Sequence, residues 1–271
     1  MQIAFIGGGN MAAALVGGLL ARGAAPASLR VVEPLAAQRE ALHARFGVAA
    51  FERAGADALG GADLVVLAVK PQQMREAVAP LQPLLREALV VSVAAGIRAS
   101  DLSRWLGGHR RVVRAMPNTP ALIGMGVTGL AALPGTGQAD RETAERVLGA
   151  VGPTVWVDDE SLLDAVTAVS GSGPAYVFLF MEAMQQAALG LGLDAHQARE
   201  LVLNTFAGAA QLALRADEPP ATLRERVTSR GGTTAAALAV MEAGDLRGLV
   251  GRAIAAAHRR GVEMGDEFGS A

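Results

Sequence analysis

The chain has 271 residues, 51% of them hydrophobic, with a formal net charge of -2 and no cysteine. That length allows two domains, each with its own core, and near-neutrality excludes a disordered chain or a nucleic-acid binder that relies on bulk positive charge. Without cysteine there can be no disulfide, thiolate zinc site or cysteine nucleophile, which fits a reducing cytoplasm. The start, Met1 to Asn10, lacks the basic head and cleavage site of a signal peptide. The longest strongly apolar run near the middle, Ala175 to Met181, falls well short of the ~20 residues that cross a bilayer. A soluble cytoplasmic protein is expected, with no membrane or nucleic-acid partner.

In chain order, β-branched runs at 3–7, 29–33, 62–69, 88–95 and 110–116 predict strands buried on both faces, hence a mostly parallel sheet. Between them, Met11 to Arg22, Ala36 to Phe46, Gln72 to Leu85 and Ala99 to Leu106 have helical spacing. Runs near 128 and 154, flanking a helical segment over 140–152, complete the sheet. The alternation defines an α/β class with an N-terminal Rossmann-like doubly wound sheet. After Asp159 the strands stop and the rest reads as helix, so the division is residues 1–159 and an all-α 160–271. Pro174 suits a first helical position, with Ser172 before it as an N-cap. The following stretch to Gly192 is apolar almost all round and predicts burial in a dimer interface.

The first strand leads into Gly7-x-Gly9-x-x-Ala12 and then directly into a helix. Glycine there permits a tight turn and close approach to a pyrophosphate, whose charge sits at the helix start. Gly7, Gly8, Gly9, Asn10, Met11 and Ala12 are therefore candidate cofactor residues. Glu33 ends the second strand 21 residues past Ala12, where an acid can bind the adenosine ribose diol. A carboxylate there repels a 2'-phosphate, so NADH is expected to be preferred to NADPH. The third strand ends Ala68, Val69, Lys70, Pro71, and the fourth passes through Ala95 and Gly96, small residues that leave room for a flat nicotinamide. Lys70, the single lysine, either meets a phosphate or ribose or stands in solvent.

A nucleotide domain joined to a helical one suggests hydride transfer, with substrate held between them. His43, His109, His196 and His258 lie away from every strand end, in positions read as surface, and no His/Asp/Glu set has metal spacing. A substrate needing little acid catalysis fits best. A cyclic imine, protonated in solution and reduced at carbon, qualifies. A hydroxy-acid dehydrogenase would want a lysine or histidine in the helical half, which has no lysine. A nucleotide-binding module without turnover is the third possibility.

The segments IGGGNMA, AVKPQ, AAGI, MPNTP (116–120), AVSGSGPAY (168–176) and TSRGGTTAAAL (228–238) together resemble pyrroline-5-carboxylate reductase, over residues 1 to about 265. The resemblance implies reduction of L-1-pyrroline-5-carboxylate to L-proline with NADH or NADPH. It also implies a dimer whose interlocked helical domains build the substrate site, commonly assembled into larger rings. Ser229, Gly231, Gly232, Thr233 and Thr234 then open a helix whose unpaired amides favour an anion, the substrate carboxylate. Amides of Gly232 and Thr233 with the Ser229 hydroxyl would hold it, and the resemblance places the Thr234 hydroxyl, the candidate catalytic group, against the ring nitrogen. Ordinary Ser/Thr capping of that helix is compatible with this role. Arg230 stands where the family has proline, and either draws in the carboxylate or points to solvent. Gly55 replaces a family asparagine that reaches the adenosine end.

Overall fold

The computed structural model describes residues 1–270. Eight strands, β1 (Ile3–Ile6), β2 (Leu29–Val32), β3 (Ala49–Phe51), β4 (Leu64–Leu67), β5 (Leu89–Ser92), β6 (Val112–Met116), β7 (Thr128–Ala132) and β8 (Thr154–Trp156), form one sheet in the order β3-β2-β1-β4-β5-β6-β7-β8. Every neighbouring pair is parallel except β6 and β7. The chain first walks outward from β1 to β3 and then resumes at β4 on the other side of β1. The crevice beyond the carboxyl ends of β1 and β4 is therefore the switch point at which such sheets bind ligands.

The expected parallel, doubly wound sheet is present, and its alternating side chains explain why its strands read as unbroken apolar runs. Phe5, Leu64, Val66, Leu89 and Val91 face one core, shared with Leu15 and Val16. Ile6, Val65, Leu67 and Val90 face the other, shared with Met74, Leu81 and Leu102. The helices that supply these layers are α1 (Asn10–Ala21), α2 (Ala36–Phe46), α3 (Ala56–Leu59), α4 (Met74–Val78), α5 (Gln82–Leu85), α6 (Ala99–Trp105) and α7 (Gln138–Leu148).

Two local expectations fail for identifiable reasons. Gln72 to Leu85 is not one helix: a 3-10 turn at Pro71–Gln73 precedes α4, and α5 follows separately. Pro80 and Pro83 each lack an amide hydrogen, so an uninterrupted hydrogen-bond ladder cannot cross them. The three-residue β3 and four-residue α3 carry too little periodicity to be read from sequence.

The remaining helices are α8 (Leu162–Val166), α9 (Gly173–Gly190), α10 (Ala195–Arg215), α11 (Pro220–Arg226), α12 (Thr233–Ala243) and α13 (Leu246–Ser270). The chain divides into one compact unit of residues 1–172 with 256–271, and a second of residues 173–255. Within the second unit, α9 packs along α10 with an edge-to-face contact between Phe180 and Phe206, 5.8 Å between centroids. Asp194 and Gln197 form a reciprocal capping box at the start of α10.

α8 and α9 are joined by a π-turn, Thr167–Gly171, so Leu162–Gly190 is a nearly continuous 29-residue helix. Its length and mean hydropathy of 1.3 would suffice to cross a membrane, which the run Ala175 to Met181 alone does not suggest. Ser172 is not an extended N-cap but has helical dihedrals, and Pro174 is the second residue of α9. None of the side chains of α9 is buried within the chain, and Phe178 and Leu179 are 62% and 66% exposed.

Candidate active site

At the end of β1 the Gly7 amide donates to the Val32 carbonyl at 2.8 Å, tying the glycine loop to β2. Gly7 has φ +96°, and a Cβ there would lie 2.8 Å from the Ala68 carbonyl oxygen, so the turn and the neighbouring strand end both require glycine. Gly9, the N-cap of α1, has open space where its Cβ would be. The first intrahelical bond runs from Ala13 to Gly9 at 2.9 Å. The amides of Asn10, Met11 and Ala12 therefore precede any acceptor the helix offers. An open cradle, three outward amides and a positive helix end fit a pyrophosphate group.

Glu33 is more constrained than its sequence position suggests. One carboxylate oxygen accepts from the Gly8 amide and the other from the Leu35 amide, each at 2.9 Å. Each oxygen retains a lone pair for a ribose hydroxyl. Two further groups were not singled out from the sequence. Gln38 Nε2 donates to the Gly8 carbonyl at 2.8 Å, and Arg39 Nη1 donates to the carbonyls of Glu33 and Pro34 at 2.8 and 2.6 Å. Both lie on the first turns of α2, five and six residues past Glu33, so helical phase after the acidic strand end was the available signal.

Ala68 and Val69 are half-buried and Lys70 is exposed, beginning the turn that Pro71 continues. In the turn after β5, Ala95 is half-buried and Gly96 buried with φ +72°. These groups come together with the glycine loop through the β1–β4–β5 order.

Beside them, Asn118 of MPNTP accepts from the Val127 amide through Oδ1 and donates to the Ser170 carbonyl through Nδ2, at 2.9 and 3.1 Å. In a helix that carbonyl would pair with residue 174, a proline without an amide hydrogen, so the asparagine supplies the missing donor. A buried ion pair also fixes this region: Arg114, 3% exposed, reaches Glu160 and Asp164, each at 3.2 Å.

In the helical unit, the candidate substrate residues form one tight turn before α12. The Gly232 amide donates to the Ser229 carbonyl at 3.1 Å, and Gly231 is left-handed at φ +71°. The expected Ser/Thr cap is absent: Gly232 itself is the N-cap, with no side-chain bond. Because no hydroxyl occupies them, the amides of Thr233, Thr234 and Ala235 stay ahead of the first helical acceptor, the Gly232 carbonyl that takes Ala236. Ser229 and Arg230 are exposed and Thr234 is half-buried. Gly55 is the extended N-cap of α3.

His43 and His196 are exposed as expected, whereas His109 and His258 are half-buried. His109 is occupied by the Ala88 carbonyl at 2.8 Å from Nε2. Among the described residues, no three His, Asp or Glu side chains lie where they could share a metal.

A doubly wound sheet with a glycine loop at its switch point, followed by helices with a second anion-ready turn, defines an oxidoreductase of the dinucleotide-binding class. Residues 160–264 match the family model for pyrroline-5-carboxylate reductase dimerisation, and residues 2–96 match that for NADP oxidoreductase, coenzyme F420-dependent. A pyrroline-5-carboxylate reductase of Pseudomonas aeruginosa is 49% identical over 99% of this chain and 98% of its own. The solved structure of one from Coxiella burnetii is 41% identical, with a TM-score of 0.92 over 97% of this chain and 98% of that one. That of the Plasmodium falciparum enzyme, with NADP bound, is 26% identical with a TM-score of 0.85 over 98% of each chain. The chain belongs to the pyrroline-5-carboxylate reductase family.

Proposed function

We propose that the protein reduces L-1-pyrroline-5-carboxylate to L-proline with NAD(P)H, the closing step of proline biosynthesis, in the cytoplasm. The observation that carries this reading is the turn at 229–234, whose unclaimed amides open α12 in a chain of this family. The Thr233 amide with the Ser229 hydroxyl holds the carboxylate, Gly231 and Gly232 keep its approach free of side chains, and the Thr234 hydroxyl bonds the ring nitrogen. The Gly232 amide, expected to join them, is already bonded to the Ser229 carbonyl. The nitrogen arrives protonated from solution, which is why no histidine is needed.

Gly7, Gly8, Gly9, Asn10, Met11 and Ala12 would hold the cofactor pyrophosphate, and Glu33 the adenosine ribose. Ala68, Val69, Lys70, Pro71, Ala95 and Gly96 would line the nicotinamide half. When bound there, the cofactor supplies the hydride that the imine carbon accepts. Glu33 favours NADH by repelling a 2'-phosphate, and Arg39 beside the same strand end limits that preference to one of degree.

On this reading residues 1–159 bind cofactor, while 160–271 bind substrate and dimerise. The exposed apolar side chains of α9 meet a second copy instead of a membrane, and dimers assemble into a larger ring. Nucleic acid has no part in it. The decisive experiment mixes the protein with NADH and pyrroline-5-carboxylate and follows nicotinamide absorbance. Absorbance that stays constant with both NADH and NADPH, from correctly folded protein, refutes the assignment.

A further inference from the structure

The last turns of α13 belong to the compact unit that carries the sheet. They bear glycine at every fourth position, Gly261, Gly265 and Gly269. A Cβ at these sites would lie 3.6 Å from Asp164 Cβ, 3.2 Å from Arg98 Nε and 2.6 Å from Asp101 Oδ2. Glycine on this face lets the helix backbone lie close against the residues that begin α6 and α8.

The adjoining face covers the loop after β5. A Cβ on Gly96 would meet Met264 Cβ at 3.0 Å and Phe268 Cδ2 at 3.3 Å. Phe268 also packs on the core cluster that contains Ile97 and Leu102. Polar contacts fix the same docking: Arg98 Nη2 donates to Asp266 Oδ1 at 2.5 Å, and Arg104 Nη2 donates to the Gly269 carbonyl at 2.7 Å. That carbonyl is among the last four of the helix, which have no partner of their own within it. Apolar cover, ion pair and carbonyl cap therefore converge on the segment 95–104 from residues far away in sequence.

We infer that Met264, Asp266 and Phe268 are positioning residues that hold Ala95–Arg98 in the conformation competent to receive the nicotinamide end of the cofactor. This rests on the cofactor reading above. None of the three residues touches the reacting atoms. Their part is to keep Gly96 in its left-handed conformation, which a free glycine would leave readily. If the loop is released, cofactor affinity falls in proportion to the fraction of molecules still competent.

The test uses the full-length protein and reads the cofactor dissociation constant from nicotinamide fluorescence, alongside both KM values. Phe268→Ala is expected to raise the cofactor Kd about five- to tenfold, as for a competent fraction of roughly a tenth to a fifth. Substrate KM and kcat at saturating cofactor stay near wild type, and Phe268→Leu restores most of the affinity. A folded Phe268→Ala protein whose cofactor Kd stays within about twofold of wild type overturns the inference. So does an equal rise in substrate KM, which would mark general loosening. If Phe268→Ala does not fold, Asp266→Asn decides: about a threefold weaker cofactor Kd is expected, and no change refutes the role. A wild-type protein that binds no nicotinamide cofactor would instead defeat the reading of the site itself.

Discussion

Gly7→Ala places one methyl group where three atoms already stand. The new Cβ would lie 2.8 Å from the Ala68 carbonyl oxygen and 2.9 Å from both Ala68 C and Val69 Cγ1, at a backbone φ of +96°. A left-handed conformation in a residue with a side chain costs about 1–2 kcal/mol, and forcing a methyl into a packed site about 1–3 kcal/mol. The two add to roughly 2–5 kcal/mol. At about 2–4 °C per kcal/mol for a fold of this size, the apparent unfolding temperature should drop by roughly 4–20 °C. Relief of the clash pushes Ala68 and Val69 outward, so cofactor affinity should fall with stability. Thermal unfolding followed by near-ultraviolet circular dichroism, with cofactor titration at low temperature, measures both. A variant melting within about 2 °C of wild type, with unaltered cofactor Kd, would refute the claim that Gly7 is sterically required.

Thr234→Ala should lose one hydrogen bond worth about 1–3 kcal/mol, read as a drop of roughly 5- to 150-fold in kcat/KM for substrate, with cofactor Kd unchanged. Thr234→Ser should recover most of the rate, and an undiminished Thr234→Ala rate would remove the hydroxyl from the mechanism. Glu33→Gln removes the charge but keeps an acceptor for one amide, so the ratio of kcat/KM for NADPH over NADH should rise; a constant ratio means that Glu33 does not discriminate. Glu242 and Glu267 are held below the ordinary carboxylate range by hydrogen bonds from Arg247 and Arg260. Folded-state values below the unfolded one mean a stabilisation that is present above the ordinary value of 4.5 and lost as pH falls through the depressed ones. Thermal unfolding scanned against pH should therefore show their part only below about pH 4.5, and Arg260→Gln should flatten that acid limb.

Most of the sheet was legible because strands covered on both faces cannot hide: Leu64, Val65, Val66 and Leu67 are each fully buried and leave an unbroken apolar run. The three-residue β3 leaves no such trace, since two of its residues are alanines. The glycine loop was legible because its motif follows from the turn it must make. What Glu33 does was only partly so, because its bonds to Gly8 and Leu35 come from chain reversals that spacing does not reveal. Capping propensity misled at α12: hydroxyl residues crowd its start, yet the backbone closes the turn on Gly232 and leaves the amides open. The π-turn at Thr167–Gly171 was hidden because the same apolar pattern suits an unbroken helix. The docking of α13 on Gly96 is long-range and carried by glycines, whose packing role has no periodic apolar signature.

The uncovered leucines, valines and phenylalanines of residues 173–255 tie the protein's persistence to its own abundance. Leu214 and Val240 are 77% and 74% exposed in a single chain, and apolar area of that kind is withdrawn from water only when another copy is at hand. Mass action then makes the midpoint of heat denaturation climb with total protein concentration. In a dilute cuvette the helices would lose their shelter first, so specific activity would decay with dilution well before the nucleotide fold gives way.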